Sequence, residues 1–196
     1  PLSSMVNSVV LTEKWRLIRN PNAPELYDIE ADPAQRENLA SRFPGIVQKL
    51  ESAYEPFWQR VSKGLRPVPI TIGDPTENPA VLCSQDWRPD TGNPPWNFRS
   101  IRGIPKVTHP WLVNILQDGE YRFTLRQFPT EANKTIVGVR AKINIAGIEK
   151  TVPIPEGSKA VTFNLKLPAG ITQLWTYIFD QKEKVGGAYF TEVFKI

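Results

Sequence analysis

Apolar side chains recur along this chain with two periods, and the change of period divides it. Residues 6–11 form an apolar run, and over 14–19 charged and apolar residues alternate (Lys14-Trp15-Arg16-Leu17-Ile18-Arg19), as in a half-buried strand. Turn residues fill 20–24, and Glu25-Leu26-Tyr27-Asp28-Ile29 alternates again, so the spacing predicts a β-hairpin. After Pro44 the period lengthens. Ile46, Val47, Leu50, Ala53, Tyr54, Phe57, Trp58 and Val61 recur at steps of one, three and four, one broad stripe of a helix over 44–62. Pro44 suits the first turn, Pro56 should kink the helix or loosen its end, and Gly64 ends it. Such a stripe must be covered, either by the preceding strands or by a partner.

Residues 65–75 read as a linker running into a first strand. Beyond it, runs at 111–116, 120–128, 136–145, 149–154, 160–167, 172–179 and 188–194 are rich in Val, Ile, Thr and aromatics. Turn signals separate them, among them Gln117-Asp118-Gly119 and Pro155-Glu156-Gly157. Tyr121, Phe123 and Leu125, and likewise Val161, Phe163, Leu165 and Leu167, alternate cleanly with polar residues, which gives each strand one core face. Short strands at this spacing predict a β-sandwich or jelly-roll-like domain. The expected class is α+β overall, with a hairpin and long helix in 1–64 and an all-β domain in 65–196.

Composition removes several functions. One Cys and one His cannot build a zinc site, and one Cys cannot form an internal disulfide. No apolar run is long enough to span a bilayer. The net charge of +4 is scattered with no basic block, which argues against a nucleic-acid partner. The first residues lack an initiator Met and a signal-peptide pattern, so the chain is expected to begin within a longer protein.

Little catalytic chemistry is legible. Phosphate loops are absent, and Asp28, Glu30 and Asp32 lack the Gly and Glu of a calcium loop, so they are expected to cap turns or face solvent. No pair of carboxylates stands out for glycoside hydrolysis, although two could meet in the fold. The segment 83–111 is the candidate site. Indole faces stack on sugar rings, and Arg pairs with sulfate or carboxylate. Trp87, Trp96, Arg99, Arg102, His109 and Trp111 supply these groups for a sulfated or neutral glycan. The competing reading makes the tryptophans a plug at the end of the sandwich, and Cys83 a small buried apolar residue.

Residues 5–62 carry a resemblance. Lys14-Trp15-Arg16-Leu17-Ile18, then Glu25-Leu26-Tyr27-Asp28-Ile29, Asp32-Pro33, Glu37-Asn38-Leu39-Ala40 and Pro44 resemble, in order and spacing, the C-terminal end of the arylsulfatase family. Asp86-Trp87, Pro95-Trp96-Asn97, Trp111-Leu112-Val113 and the segment 119–126 are similar, more loosely, to the extra C-terminal region of some bacterial members. The resemblance implies a non-catalytic C-terminal part of a sulfuric ester hydrolase that braces a catalytic domain encoded upstream and helps shape substrate access. It implies calcium in that missing domain, no cofactor in this chain, and a periplasmic or extracellular location. Cys83 is followed by Ser84-Gln85-Asp86, which is not the family's formylglycine motif, so no catalytic residue carries over. A structural adhesive module fits the same strands equally well.

Overall fold

A strand with one apolar face needs a second layer to cover it, and the chain supplies that layer in each of two units, Pro1–Arg66 and Pro67–Ile196. The computed structural model describes residues 8–90, 94, 107–183 and 185–196.

In the first unit β1 (Ser8–Leu11), β2 (Trp15–Arg19) and β3 (Pro24–Asp28) form an antiparallel sheet in that order. Leu17 and Leu26 lie opposite each other in the β2–β3 register, both fully buried. The helix α1 (Pro44–Ser62) adds Val47 and Leu50 to their cluster. The turn chemistry between sheet and helix is specific. Asn38 Oδ1 accepts the amides of Leu26 (3.0 Å) and Ala40 (2.9 Å), and Asp32 Oδ2 accepts those of Arg36 and Glu37. Pro44 occupies the first turn, and Pro56 sits inside a helix that continues past it. The apolar stripe is covered only in part: Phe57 and Val61 are 47% and 37% exposed. A helix of 19 residues runs to about 28 Å, whereas five-residue strands reach only roughly 17 Å, so this sheet is too short to cover the whole stripe.

The second unit packs two sheets face to face. One has the order β10-β7-β13-β5, built from β5 (Ala80–Cys83), β7 (Gly119–Arg126), β10 (Val161–Leu167) and β13 (Phe190–Lys195). The other has the order β4-β6-β11-β8-β9, from β4 (Ile70–Ile72), β6 (Trp111–Ile115), β8 (Arg140–Ile145), β9 (Ile148–Pro153) and β11 (Gly170–Phe179). A short β12 (Val185–Gly186) pairs with the end of β11. The pairing is antiparallel except between β4 and β6. Inward-facing residues of both sheets, such as Phe123, Phe163, Val113, Ile143, Leu174 and Val193, merge into one core. Strict alternation of buried and exposed positions along β10 produces that face.

The α+β class expected from the sequence is overturned. Among the described residues thirteen strands stand against a single α-helix, and the chain is mostly β-sheet. The helical period is conspicuous in the sequence because it is uninterrupted. In the fold it is an accessory to a three-stranded sheet and does not amount to a layer of the larger unit.

Candidate functional site

β11 lies inside its sheet, paired to β8 on one side and to β6 and then the short β12 on the other. Leu174, Thr176 and Ile178 point inward and are fully buried. The alternate positions Gln173, Trp175, Tyr177 and Phe179 therefore share the outer face. The three rings run nearly parallel: Trp175 and Tyr177 have centroids 6.2 Å apart at 7°, and Tyr177 and Phe179 6.4 Å apart at 28°.

The neighbouring strand completes this face. In register, Asn144 lies opposite Trp175, Lys142 opposite Tyr177 and Arg140 opposite Phe179. Lys142 Nζ sits 4.7 Å from the Tyr177 ring centroid and Arg140 Cζ 4.6 Å from that of Phe179, both cation–π contacts. Each cation reaches its ring from the adjacent strand. The result is a ribbon of rings on consecutive outward positions. Lys142 Nζ also pairs with Glu149 Oε2 at 3.2 Å, Asn144 Nδ2 donates to the same oxygen, and Arg140 pairs with Glu183. Trp175 Nε1 donates to Gln173 Oε1 at 3.1 Å, which fixes the indole.

Beneath this face the strand is pinned. Thr176 Oγ1 accepts the amide of Ala188 (3.0 Å), and the Thr176 carbonyl accepts from Thr108 Oγ1 (2.8 Å). Gly187 has no room for a side chain: a Cβ there would lie 2.7 Å from Trp87 Cζ2 and 2.8 Å from Thr108 Oγ1.

The residues expected to form the site are placed differently. Trp87 and Trp111 are 1% and 0% exposed and belong to the core. Trp87 meets Trp111 edge-on (5.5 Å), lies against Tyr189 (5.5 Å, 26°) and touches the half-buried His109 (6.0 Å). Trp111 Nε1 donates to the Cys83 carbonyl at 2.7 Å. Neither indole has a face open to a ligand, so their assignment to a binding surface is corrected to packing. Burial pushes the Tyr189 phenol up to about 12 and raises the Cys83 thiol, whose Sγ lies 3.3 Å from Asp86 Oδ2. Trp96, Arg99 and Arg102 lie outside the described residues. The sequence signal of the β11 rings is a strand with aromatics at alternate positions, Trp175, Tyr177 and Phe179, and the β-branched Thr176 and Ile178 between them.

Two recesses are lined by described residues. A cleft of about 880 Å³ at the end of β11 is lined by 135–139, 154–157 and 180–182, with Glu156, Asp180 and Lys182 as its charged groups. In the first unit a recess of about 370 Å³ lies among Trp15, Phe43 and the pairs Lys14–Asp28 and Arg42–Glu37. The Asp28 carboxyl is held below its ordinary range, first by the Ala31 amide and then by Lys14. Among the described residues no cluster of His, Cys, Asp and Glu could hold a metal, and no helix is long and apolar enough to cross a membrane.

No protein-family model matches this chain, and no curated protein matches it. Among solved structures it is similar to a ruminal GH26 endo-β-1,4-mannanase, at 16% identity and TM-score 0.38 over 60% of this chain and 26% of that one. It is similar to the carbohydrate-binding module CBM6cm-2 from Cellvibrio mixtus lichenase 5A in complex with cellotriose, at 15% identity and TM-score 0.35 over 61% of this chain and 99% of that one. It is also similar to CBM35 from Cellvibrio japonicus Abf62, at 14% identity and TM-score 0.35 over 61% and 89% of the two chains. The chain spans about a quarter of the mannanase's length. Likeness this low carries no argument, and what the second unit does has to be read from the geometry of its outer face.

Proposed function

We propose that the second unit is a carbohydrate-binding β-sandwich module and that its binding surface is the outer face of β11 and β8. The observation that carries this is the ribbon of Trp175, Tyr177 and Phe179. Sugar rings present flat C–H faces, and a row of aromatic rings takes them up with little loss of side-chain freedom. Outward positions four residues apart on one strand span roughly 13 Å, long enough for successive units of a chain and longer than a single sugar. Gln173, Asn144 and Thr151 lie on the same face as donors and acceptors for hydroxyl groups. Titrating tryptophan fluorescence with a panel of oligosaccharides tests the reading. A saturable change that lengthens with the oligomer and disappears in Trp175→Ala is expected. Indifference of the wild-type signal to every glycan refutes it.

A second reading concerns the first unit. The exposed Phe57 and Val61 on α1 support the expectation that a sulfatase catalytic domain covers this helix in the parent protein. The gene sequence upstream of Pro1 tests it, and an upstream region without the formylglycine motif refutes it.

A further inference from the structure

We infer that the ligand of the β11–β8 face is an uncharged polysaccharide, not a sulfated or uronic-acid one; this rests on the carbohydrate-binding reading above and adds the charge class. The outer rows of the sheet can be read from the register. β11 contributes Ile171, Gln173, Trp175, Tyr177 and Phe179. β8 contributes Arg140, Lys142 and Asn144, and β9 contributes Pro153, Thr151 and Glu149 opposite them. On the other side β6 adds Leu112 and Asn114, opposite Gln173 and Ile171. Among these described residues there are two cations, Arg140 and Lys142, and each already has a carboxylate, Glu183 and Glu149 respectively.

Both cations are also committed to ring faces, Lys142 to Tyr177 and Arg140 to Phe179. Among these described residues an anionic sugar meets no positive charge without a carboxylate partner. To bind one it must open an ion pair, and the displaced glutamate then stays a few ångströms away and repels it. Opening an exposed pair costs little, so the remaining like charge does most of the discriminating. A neutral chain meets none of this and finds Gln173, Asn144, Asn114 and Thr151 for its hydroxyls. The +4 of the whole chain therefore lies elsewhere and does not set the ligand.

Affinity electrophoresis of the full chain tests the inference, in native gels containing neutral glucan, mannan, xylan or galactan, or else alginate or dextran sulfate. Retardation that Trp175→Ala loses is the readout. The expected result is such retardation in a neutral gel, unchanged at about 0.5 M NaCl, where the screening length falls to roughly 4 Å, and none in the two acidic gels. Glu149→Gln with Glu183→Gln should then create a Trp175-dependent retardation by dextran sulfate, because both cations lose their partners. Trp175-dependent retardation of the wild type by alginate or dextran sulfate, abolished by salt, overturns the charge class and leaves carbohydrate binding standing. Absence of retardation in all six gels overturns both.

Discussion

Replacing Trp87 by alanine and Trp175 by alanine should separate stability from recognition in one molecule. Trp87 is 1% exposed and lies between Trp111 and Tyr189, each at 5.5 Å. Truncating a buried indole loses its transfer free energy and leaves a cavity that rigid aromatic neighbours cannot close, a cost of about 3–5 kcal/mol. That is a large share of the roughly 5–15 kcal/mol that holds an ordinary domain together. Trp175 stands on the outer face, with one neighbouring ring and one hydrogen bond to Gln173. Its removal should cost about 1 kcal/mol, the scale of a same-face side-chain contact on a sheet. Urea denaturation followed by near-ultraviolet circular dichroism measures both. Trp87→Phe, expected to lose about 1–3 kcal/mol, keeps the comparison readable if Trp87→Ala does not fold. Glycan retardation should survive in Trp87→Phe and vanish in Trp175→Ala. A Trp87→Ala variant within about 1 kcal/mol of wild type, or a Trp175→Ala variant as destabilised as Trp87→Ala, refutes the assignment of one indole to the core and the other to the surface.

Gly187→Ala should lower the stability of the second unit by about 1–3 kcal/mol, since its Cβ would lie 2.7 Å from the Trp87 ring; an unchanged melting temperature contradicts this. Thr176→Val keeps the shape but leaves the buried Ala188 amide without its 3.0 Å acceptor, an expected loss of about 1–3 kcal/mol that chemical denaturation would detect. The buried Tyr189 phenol is raised to about 12, above the roughly 10 of an unfolded tyrosine. Its contribution is thus fully present below pH 10 and is lost as the pH climbs from about 10 toward about 12. Alkaline titration of the urea midpoint should show that fall in wild type, and a Tyr189→Phe protein with an equally steep fall over the same window contradicts the assignment.

Local periodicity settled much of what the sequence shows. The alternation of Val161, Phe163, Leu165 and Leu167 reappears as the buried face of β10, and Leu17 and Leu26 become the heart of the first sheet. The helical stripe likewise becomes α1, bounded by Pro44 and Ser62. These features are legible because a side chain's face within one element follows from its position and the period alone. Weaker strands are not. β5 and the two-residue β12 have no pattern of their own and exist because β13 and β11 offer them partners.

Which tryptophan is buried was beyond the sequence. Trp87, among polar and charged neighbours in sequence, is 1% exposed, whereas Trp175, in an apolar strand run, shares an outer face with Tyr177 and Phe179. The difference arises because Trp87 enters a space closed by Trp111, Tyr189 and Gly187, which come from distant parts of the chain. The pairing of Lys142 with Glu149, and of Arg140 with Glu183, is likewise a product of strand register and chain return. Net charge and composition belong to the sequence alone. Which charges meet, and which rings stay uncovered, depends on contacts between segments far apart in the chain, and those contacts exist only once the sheets have formed.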